Sequence, residues 1–363
     1  MRYVDEFRDK RLIDKVAQAI REKADRGRSY RIMDVCGTHT MNIFKFGLKD
    51  ILPANIDLVS GPGCPVCVTA NDFLDKTIAL SRMKNTIITT FGDMFRVPGS
   101  HSSLEKERAG GRDIRIMYSS LDALNCARKN PDKEVIFLGV GFETTSPTVA
   151  ASISIAKIQR LKNYSVLCGH KTMPNALRTL VSDDSISIDG FILPGHVSAI
   201  IGLKPYGFLS KKYGKRCVVA GFEALDILEA ILMIIEQKTP KVEVEYPRII
   251  NKRGNVIAQK AIAKIFEEED SNWRGLGLVR KSGLRIRKRY SDFDADCKFK
   301  PKVGKPKENK GCVCGDVLKG IKRPSDCKLF GKVCNPTDPV GSCMVSSEGT
   351  CAAYYKYSNS FSV

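Results

Sequence analysis

Three cysteines and one histidine near the N-terminus have the types and spacing of a metal or redox site. "CGTH" contains Cys36 and His39, and "GPGCPVC" contains Cys64 and Cys67. A thiolate with an imidazole suits iron or zinc, whereas a Cys-x-x-Cys pair forms a short disulfide or binds one metal. From spacing alone, a metal at Cys36 and His39 competes with a reactive cysteine or a plain polar loop. Glycines and a proline around the Cys64–Cys67 pair predict a tight, accessible loop with redox or metal chemistry.

The C-terminal tail carries six further cysteines: Cys312, Cys314, Cys327, Cys334, Cys343 and Cys351. Their gaps of 1, 12, 6, 8 and 7 residues lack the paired Cys-x-x-Cys spacing of a zinc ribbon, and no histidine follows them. Such an irregular set suits a [4Fe–4S] cluster, which binds four thiolates, while a zinc site with four cysteine ligands remains an alternative. The predicted cluster ligands are Cys314, Cys327, Cys334 and Cys351, with Cys312 and Cys343 as spares.

The composition places these groups in a globular chain. The protein has 363 residues with 43% hydrophobic and 27% charged residues, and no segment approaches the ~20 apolar residues of a membrane span. Its first segment is a charged amphipathic helix pattern without the apolar region of a secretory signal. Thirteen cysteines without an export signal favour metal or redox chemistry over a disulfide framework, so we expect a cytoplasmic protein without a membrane partner.

The net charge of +19 is uneven, since residues 280–332 contain 17 basic and 6 acidic side chains. This segment has few aromatic residues for base stacking, which makes nucleic acid an unlikely partner. A solvated, lysine-rich linker is the plainer interpretation, and an acidic protein partner is a third.

Eight short apolar segments, alternating with helical patterns, predict the elements that position the cysteines. Strands that alternate with helices form βαβ units and parallel sheets. The predicted fold is α/β: two Rossmann-like domains with parallel sheets, followed by a C-terminal cysteine-rich iron–sulfur domain. The predicted domain ranges are 1–112, 113–240 and 241–363, the last including a basic linker.

Ligands of open α/β sheets bind at the carboxyl ends of the strands. "CGTH", "GPGCPVC" and "GFETT" all follow predicted strands, as do the loops that carry the four histidines, His39, His101, His170 and His196. The sequence therefore predicts one shared cleft. Glu143 of "GFETT" is a candidate catalytic residue in that cleft, although an acid favoured by the dipole of the following helix is an equal interpretation.

These motifs resemble those of the hydrogenase maturation family HypD. The resemblance extends from about residue 10 to 357 and includes "TTFGDMFRVPGS", "VAGFEALDILEAI" and "FGKVCNPTDPVGSCMVSSEGTCAAYY". It implies a role in building the Fe(CN)2CO group of [NiFe]-hydrogenases, with a HypC-type chaperone and with HypE as cyanide donor. The hydrogenase large subunit would be an indirect partner.

The resemblance also implies roles for individual residues. Cys36 and His39 would bind the transient iron of Fe(CN)2CO, and Cys64 and Cys67 would be a redox-active dithiol. The tail would hold the [4Fe–4S] cluster in an arrangement similar to ferredoxin:thioredoxin reductase, on ligands Cys314, Cys327, Cys334 and Cys351. The chain would then be a metallocentre-assembly scaffold rather than a conventional small-substrate enzyme.

Two other functions are compatible with the cysteine pattern. A free-standing iron–sulfur disulfide reductase would use the cluster and the Cys64–Cys67 dithiol on partner proteins. A zinc-containing nucleic-acid binder would be colourless and would bind in a salt-sensitive way.

Overall fold

A computed structural model describes residues 6–358 and confirms the α/β fold with parallel sheets. The strands are β1 Tyr30–Asp34, β2 Ile56–Ser60, β3 Thr86–Thr90, β4 Asp113–Ile116, β5 Glu134–Gly139, β6 Tyr164–Cys168, β7 Gly190–Pro194, β8 Arg216–Ala220, β9 Val242–Val244, β10 Phe266–Trp273 and β11 Gly277–Ile286. The first sheet has strand order β2-β1-β7-β8-β9, the second has the order β4-β3-β5-β6, and β10 and β11 form an antiparallel hairpin.

The α-helices lie mainly in the connections between strands, as parallel pairing requires. They are α1 Lys10–Lys23, α2 Gly37–Lys45, α3 Leu48–Ile51, α4 Pro65–Val68, α5 Asn71–Ser81, α6 Gly92–Phe95, α7 Leu104–Ala109, α8 Ser120–Lys129, α9 Ser146–Ile158, α10 Met173–Val181, α11 Gly195–Ile201, α12 Gly207–Lys211, α13 Ala224–Glu236, α14 Val256–Ile265, α15 Ala295–Phe299, α16 Cys314–Leu318 and α17 Thr350–Tyr357.

All eight predicted parallel strands are present, and their apolar residues explain why. Every residue of β7 is buried, and so is all of β5 after its first residue. A strand that is covered by helices on both faces needs an apolar side chain at nearly every position. The continuous apolar runs in the sequence therefore indicated the central strands correctly.

The register of the first sheet brings the cysteine loops together. Asp34, the last residue of β1, pairs with Ser60, the last residue of β2, and also with Ile192 of β7. Since parallel strands end at the same edge, the loops after these strands are neighbours. The "CGTH" and "GPGCPVC" segments are those loops.

The two sheets do not follow the predicted boundary at residue 112. The first sheet takes β1 and β2 from the first predicted range and β7 and β8 from the second, while β3 of the first range belongs to the second sheet. The chain thus leaves the first sheet after β2, builds the second sheet, and returns. The alternation of strands and helices in the sequence is the same for both sheets. Only the pairing of the strands shows to which sheet each strand belongs.

The predicted third domain, residues 241–363, is not a single unit either, because its parts pack on different sheets. The hairpin β10–β11 packs its apolar residues Phe266, Leu284 and Ile286 into the core of the second sheet. The cysteine-rich tail instead packs on the first sheet, where α17 contacts α2. The tail and the hairpin therefore support different parts of the fold.

One core joins the first sheet, the hairpin and the tail. It contains Met33 and Val59 of the first sheet, Cys67 of α4, Trp273 of the hairpin and Cys343 of the tail. Trp273 donates its indole N–H to the Ser282 Oγ at 2.8 Å, which satisfies the polar atom of this large buried side chain. Within residues 6–358, no helix has both the length and the apolar character needed to cross a membrane.

Glycine at position 63 is required by the close approach of the two cysteine loops. A Cβ on Gly63 would lie 2.5 Å from the Cys36 Cα, a distance at which the backbone must shift. We expect Gly63→Ala to lower the free energy of unfolding by about 1–3 kcal/mol, as overpacking does elsewhere. Urea denaturation measures this change.

Gly207→Ala is the matched control, because a Cβ at Gly207 would have nothing within 4 Å. Equal stability of the two variants would contradict the close packing of the loops.

Candidate metal and redox site

Cys36 lies where β1 ends and α2 begins. It is the N-cap residue of α2, and the next residue, Gly37, donates its backbone N–H to the Gly63 carbonyl at 3.0 Å. Gly61 N–H in turn donates to the Asp34 carbonyl at 2.8 Å. Two backbone hydrogen bonds therefore fasten the Cys36 loop to the loop that precedes Cys64.

Cys36 lines a cavity of about 280 Å³ between the two sheets. Loops at the carboxyl ends of strands from both sheets contribute to the lining, together with the tail, and the residues include Cys36, Pro65, Phe91, Val140, His196 and Glu348. The predicted convergence of strand-end loops on one cleft is confirmed.

Glu348 of the tail closes the cavity beside Cys36. Its carboxylate accepts a hydrogen bond of 2.6 Å from the Thr38 hydroxyl, and its side chain packs on Gly37. Burial, followed by the nearby carboxylate of Glu348, raises the pKa of Cys36 to about 12. The isolated thiol is therefore protonated at neutral pH, and a bound metal ion would have to displace that proton.

His39 is fully buried in the first turn of α2, three residues after Cys36. Its Nε2 lies 2.7 Å from the Gly221 carbonyl, which only accepts, so Nε2 carries the proton and donates. Burial lowers the pKa of His39 to about 4, which keeps the ring neutral. Nδ1 is buried and has no hydrogen-bond partner among residues 6–358. A neutral imidazole with one free nitrogen is the form that binds a metal.

The other three histidines divide between the cavity and other places. His196 lines the cavity and stacks on Phe222 with ring centroids 4.0 Å apart, and His39 stacks on the same ring at 4.8 Å. His101 is exposed, and His170 is buried against Phe266 of the hairpin. Among the described residues, His196 is the one histidine that lines this cavity. The expectation that all four histidines share the cleft is therefore wrong for His101 and His170, and His39 is buried without lining the cavity.

Cys64 and Cys67 form a disulfide at the start of α4. Pro65 occupies the first turn of this helix, and the Cys64 Sγ accepts from the Cys67 backbone N–H at 3.2 Å. The pair is buried, with Cys64 only 3% and Cys67 0% exposed. The prediction of an accessible loop is therefore wrong, because the tail and the hairpin cover the segment.

Ser342 connects the disulfide to the tail. Its hydroxyl donates to the Cys67 carbonyl at 2.9 Å, and the same oxygen lies 4.0 Å from the Cys314 Sγ. One serine side chain thus separates a tail cysteine from the Cys64–Cys67 segment. The residues that carry the predicted redox chemistry are neighbours, although 247 positions separate Cys67 from Cys314.

All six tail cysteines line one small cavity of about 10 Å³: Cys312, Cys314, Cys327, Cys334, Cys343 and Cys351. Cys314 and Cys343 are the most closely paired, with sulfurs 2.8 Å apart. Hydrogen bonds from both Cys312 and Cys343 stabilise the Cys314 thiolate and lower its pKa well below the usual value.

The donor chemistry of this cavity fits an iron–sulfur cluster, since six cysteines line it and Cys314 favours the thiolate form. No three His, Cys, Asp or Glu side chains among the described residues are already arranged as ligands of a single metal ion. Cys312 and Cys314, which are separated by one residue, both line the cavity. Which four cysteines bind a cluster therefore stays a prediction.

Glu143 lies in the turn before α9, but its side chain serves a different helix. Its Oε1 accepts from the backbone N–H of Met173, the first residue of α10, at 2.9 Å. Its Oε2 is buried and has no hydrogen-bond partner among the described residues. Burial raises the pKa of Glu143 to about 7, and its neighbours Phe142 and Thr144 line the Cys36 cavity.

Sequence reasoning missed Ser342, Glu348 and Asp93 as parts of this region. Asp93 accepts from the Ser346 hydroxyl at 2.6 Å and so ties the tail to the loop after β3. These residues have no metal-like spacing, and each gains its position only when the tail folds over the first sheet.

The fold and the site define a two-sheet α/β protein whose cysteine-rich tail covers a buried disulfide and a Cys–His pair. Comparison with known protein families identifies the family to which this architecture belongs. A model of the HypD family, described as "Hydrogenase formation hypA family", matches residues 11–358. The chain belongs to this family.

Curated relatives resemble the chain over nearly its whole length. It is 45% identical to "Hydrogenase maturation factor HypD2" of Bradyrhizobium diazoefficiens over 98% of this chain and 97% of the relative. It is 46% identical to HypD of Rhizobium leguminosarum bv. viciae, with 98% and 96% covered, and 43% identical to HypD of Escherichia coli, with 98% of each covered. The recognition from sequence motifs is confirmed.

The buried carboxyl of Glu143 makes stability depend on pH. Its pKa of about 7 lies above the value of about 4.3 in an unfolded chain, so the folded protein binds the extra proton between these values. The stability it contributes is complete below pH ~4 and is lost as the pH rises through 7. Glu143→Gln should remove a difference on the order of 2 kcal/mol in unfolding free energy between pH 4.5 and 7.5.

Urea denaturation at both pH values measures this difference. Glu105→Gln, at an exposed position on α7, is the control and should keep the wild-type dependence. An unchanged pH dependence in Glu143→Gln would show that the carboxyl titrates normally.

Proposed function

We propose that this chain is the scaffold on which the Fe(CN)2CO group of a [NiFe]-hydrogenase is assembled, acting with a HypC-type chaperone and with HypE. The family and the names of its relatives support hydrogenase maturation. One observation supports the finer proposal: Ser342 contacts both the Cys67 segment and Cys314, while Glu348 of the same tail closes the Cys36 cavity. Three sulfur groups thus share one covered region.

In this proposal the iron is cargo, and Cys36 and His39 hold it. A cysteine and a histidine within the first turn of α2 supply two protein ligands, and a neutral His39 keeps Nδ1 free for coordination. Two ligands leave the remaining positions of the iron to cyanide, carbonyl and the chaperone. Weak attachment suits an ion that must later be passed to the hydrogenase large subunit.

The tail cysteines would hold a [4Fe–4S] cluster, whose chemistry when bound is the supply of single electrons. The Cys64–Cys67 disulfide takes two electrons and two protons to become two thiols. Ser342 fixes the distance between the two groups, and the packed core around Cys67 excludes water. The partly exposed thiols of Cys312, Cys327 and Cys351 would stay reduced in a reducing compartment, so we propose a cytoplasmic location.

Burial argues against the free-standing disulfide reductase. Such an enzyme must bring a partner's disulfide into contact with Cys64 or Cys67, yet the two side chains are 3% and 0% exposed. A covered disulfide is suited to a reaction inside the protein's own cavity.

The iron site is tested with Cys36→Ala. The complex of this variant with a HypC-type chaperone should copurify with little iron and should lack the infrared stretches of cyanide and carbonyl, because one of two protein ligands is gone. Cys126→Ala is the control, since Cys126 is buried on α8 in the other half of the protein. Wild-type iron content in Cys36→Ala would refute the assignment.

The cluster ligands are tested by comparing Cys334→Ala with Cys343→Ala. The first should lose bound iron, labile sulfide and the broad visible absorbance, and the tail should become less stable, because a metal centre ties together loops with little apolar core. The second should keep the cluster. Loss of the cluster in Cys343→Ala would show that the proposed ligand set is wrong. Cys343 would then be a ligand together with Cys314, whose sulfur lies 2.8 Å from the Cys343 sulfur.

A further inference from the structure

An exposed, lysine-rich segment leads into the tail cysteines. Residues 300–310, called the lysine strap here, contain Lys300, Lys302, Lys305, Lys307 and Lys310, and all five side chains belong to exposed residues. The strap has no helix or strand between residues 301 and 309. The sequence analysis interpreted this segment as a solvated linker. Hydrogen bonds between its backbone and the rest of the protein would instead give it a defined conformation.

The backbone of the strap is fixed to the second-sheet half of the protein. Lys307 donates its backbone N–H to the Ser100 hydroxyl at 2.8 Å, and its carbonyl accepts from the Asn71 side chain at 2.5 Å. Pro301 and Pro306 further restrict the backbone. The lysines therefore project from a held segment rather than from a free linker.

The one acidic residue of the strap does not neutralise these lysines. Glu308 lies 3.8 Å from Arg274, which is itself only 7% exposed and anchored on the Thr69 carbonyl. Among residues 6–358, no acidic group lies within ion-pair distance of Lys302, Lys305, Lys307 or Lys310. The strap is a surface of uncompensated positive charge.

This surface ends at the cysteine cavity. Cys312 donates its backbone N–H to the Asn309 carbonyl at 3.0 Å, and the Cys327 thiol lies 3.9 Å from the Gly311 carbonyl. Cys312 and Cys327 are both partly exposed, unlike Cys314 and Cys343. The lysines therefore adjoin a side of the cavity that is partly open to solvent.

We propose that the lysine strap is the docking surface for an acidic protein that carries one electron at a time, such as an iron–sulfur carrier. This docking proposal rests on the function proposed above, and it identifies the donor of the electrons that reduce the Cys64–Cys67 disulfide. Each docking event oxidises the carrier by one electron. Two events supply the electrons that, with two protons, convert the Cys64–Cys67 disulfide into two thiols.

The chemistry of the strap favours such a carrier over nucleic acid. Complementary charge accelerates short-lived encounters, which a carrier that must leave after each transfer requires. No aromatic residue lies between Phe299 and Phe330, so bases would find no stacking surface on the strap.

The test replaces three charges of the strap in one variant, Lys302→Gln/Lys305→Gln/Lys307→Gln. The control variant is Lys15→Gln/Lys211→Gln/Lys238→Gln, whose exposed lysines lie on or beside α1, α12 and α13. The probe is an acidic plant-type ferredoxin. One measurement is the dissociation constant for the oxidised ferredoxin. The other is the rate at which reduced ferredoxin converts the Cys64–Cys67 disulfide of the anaerobic protein into two thiols, followed by alkylation and mass spectrometry of quenched samples.

At low ionic strength, the strap variant should bind ferredoxin about tenfold more weakly and should be reduced about tenfold more slowly than wild type, within the range of electrostatic steering. High salt should abolish the difference. Dithionite, a small reductant, should reduce wild type and both variants equally. The control variant should behave as wild type in each assay.

Other outcomes overturn the proposal. Equal ferredoxin binding and reduction in the strap and control variants would refute docking at this surface. Selective loss of single-stranded DNA binding in the strap variant, with ferredoxin binding unchanged, would assign the strap to nucleic acid. A colourless wild-type protein that still binds ferredoxin through the strap would refute the proposed cluster function but not the docking surface.

Discussion

The close approach of two glycine-containing loops at the edge of the first sheet is the constraint on which the site depends. The in-register ends of β1 and β2 bring the loops side by side, and backbone hydrogen bonds from Gly37 and Gly61 join them. No side chain fits between Gly63 and the Cys36 backbone. Cys36 and the Cys64–Cys67 disulfide are thereby held as one unit, and the tail has a single surface on which to pack.

The tail completes the site because it is attached at several separate points. Ser342 bonds to the Cys67 carbonyl, Ser346 to Asp93, and Glu348 to Thr38. These contacts join residues that are about 250 to 310 positions apart in the chain. Their combined effect is to cover the disulfide, close the Cys36 cavity and bring Cys314 of the cysteine cavity near Cys67.

Burial gives the interior of the site a common electrostatic character. It raises the pKa of Cys36 and Glu143 and lowers that of His39, so all three groups favour their neutral forms. Positive charge is concentrated outside, with the lysine strap beside the cysteine cavity. A neutral interior suits the retention of a metal with its own charged ligands, and a charged exterior suits transient protein partners.

Much of the fold could be read from the sequence. Apolar segments indicated eight of the nine parallel strands within residues 6–358, β1 to β8, but not the short strand β9. Burial on both faces, which leaves little choice of residue, explains central strands such as β5 and β7. Strand ends located the loops that carry Cys36, Cys64 and Glu143, because ligand sites of parallel sheets form at that edge. Motif resemblance identified the family, which the comparisons then showed.

Tertiary structure alone decided how these parts combine. Strand patterns do not reveal pairing partners, so the predicted boundary at residue 112 does not separate the two sheets. Exposure is likewise not encoded locally: the glycine-rich loop of Cys64 predicted access, yet a tail about 275 residues away buries it. Ser342 and Glu348 have no distinctive spacing because their roles arise from contacts across the chain. Local sequence determines the elements through short-range burial patterns, whereas the site depends on long-range packing that no local pattern specifies.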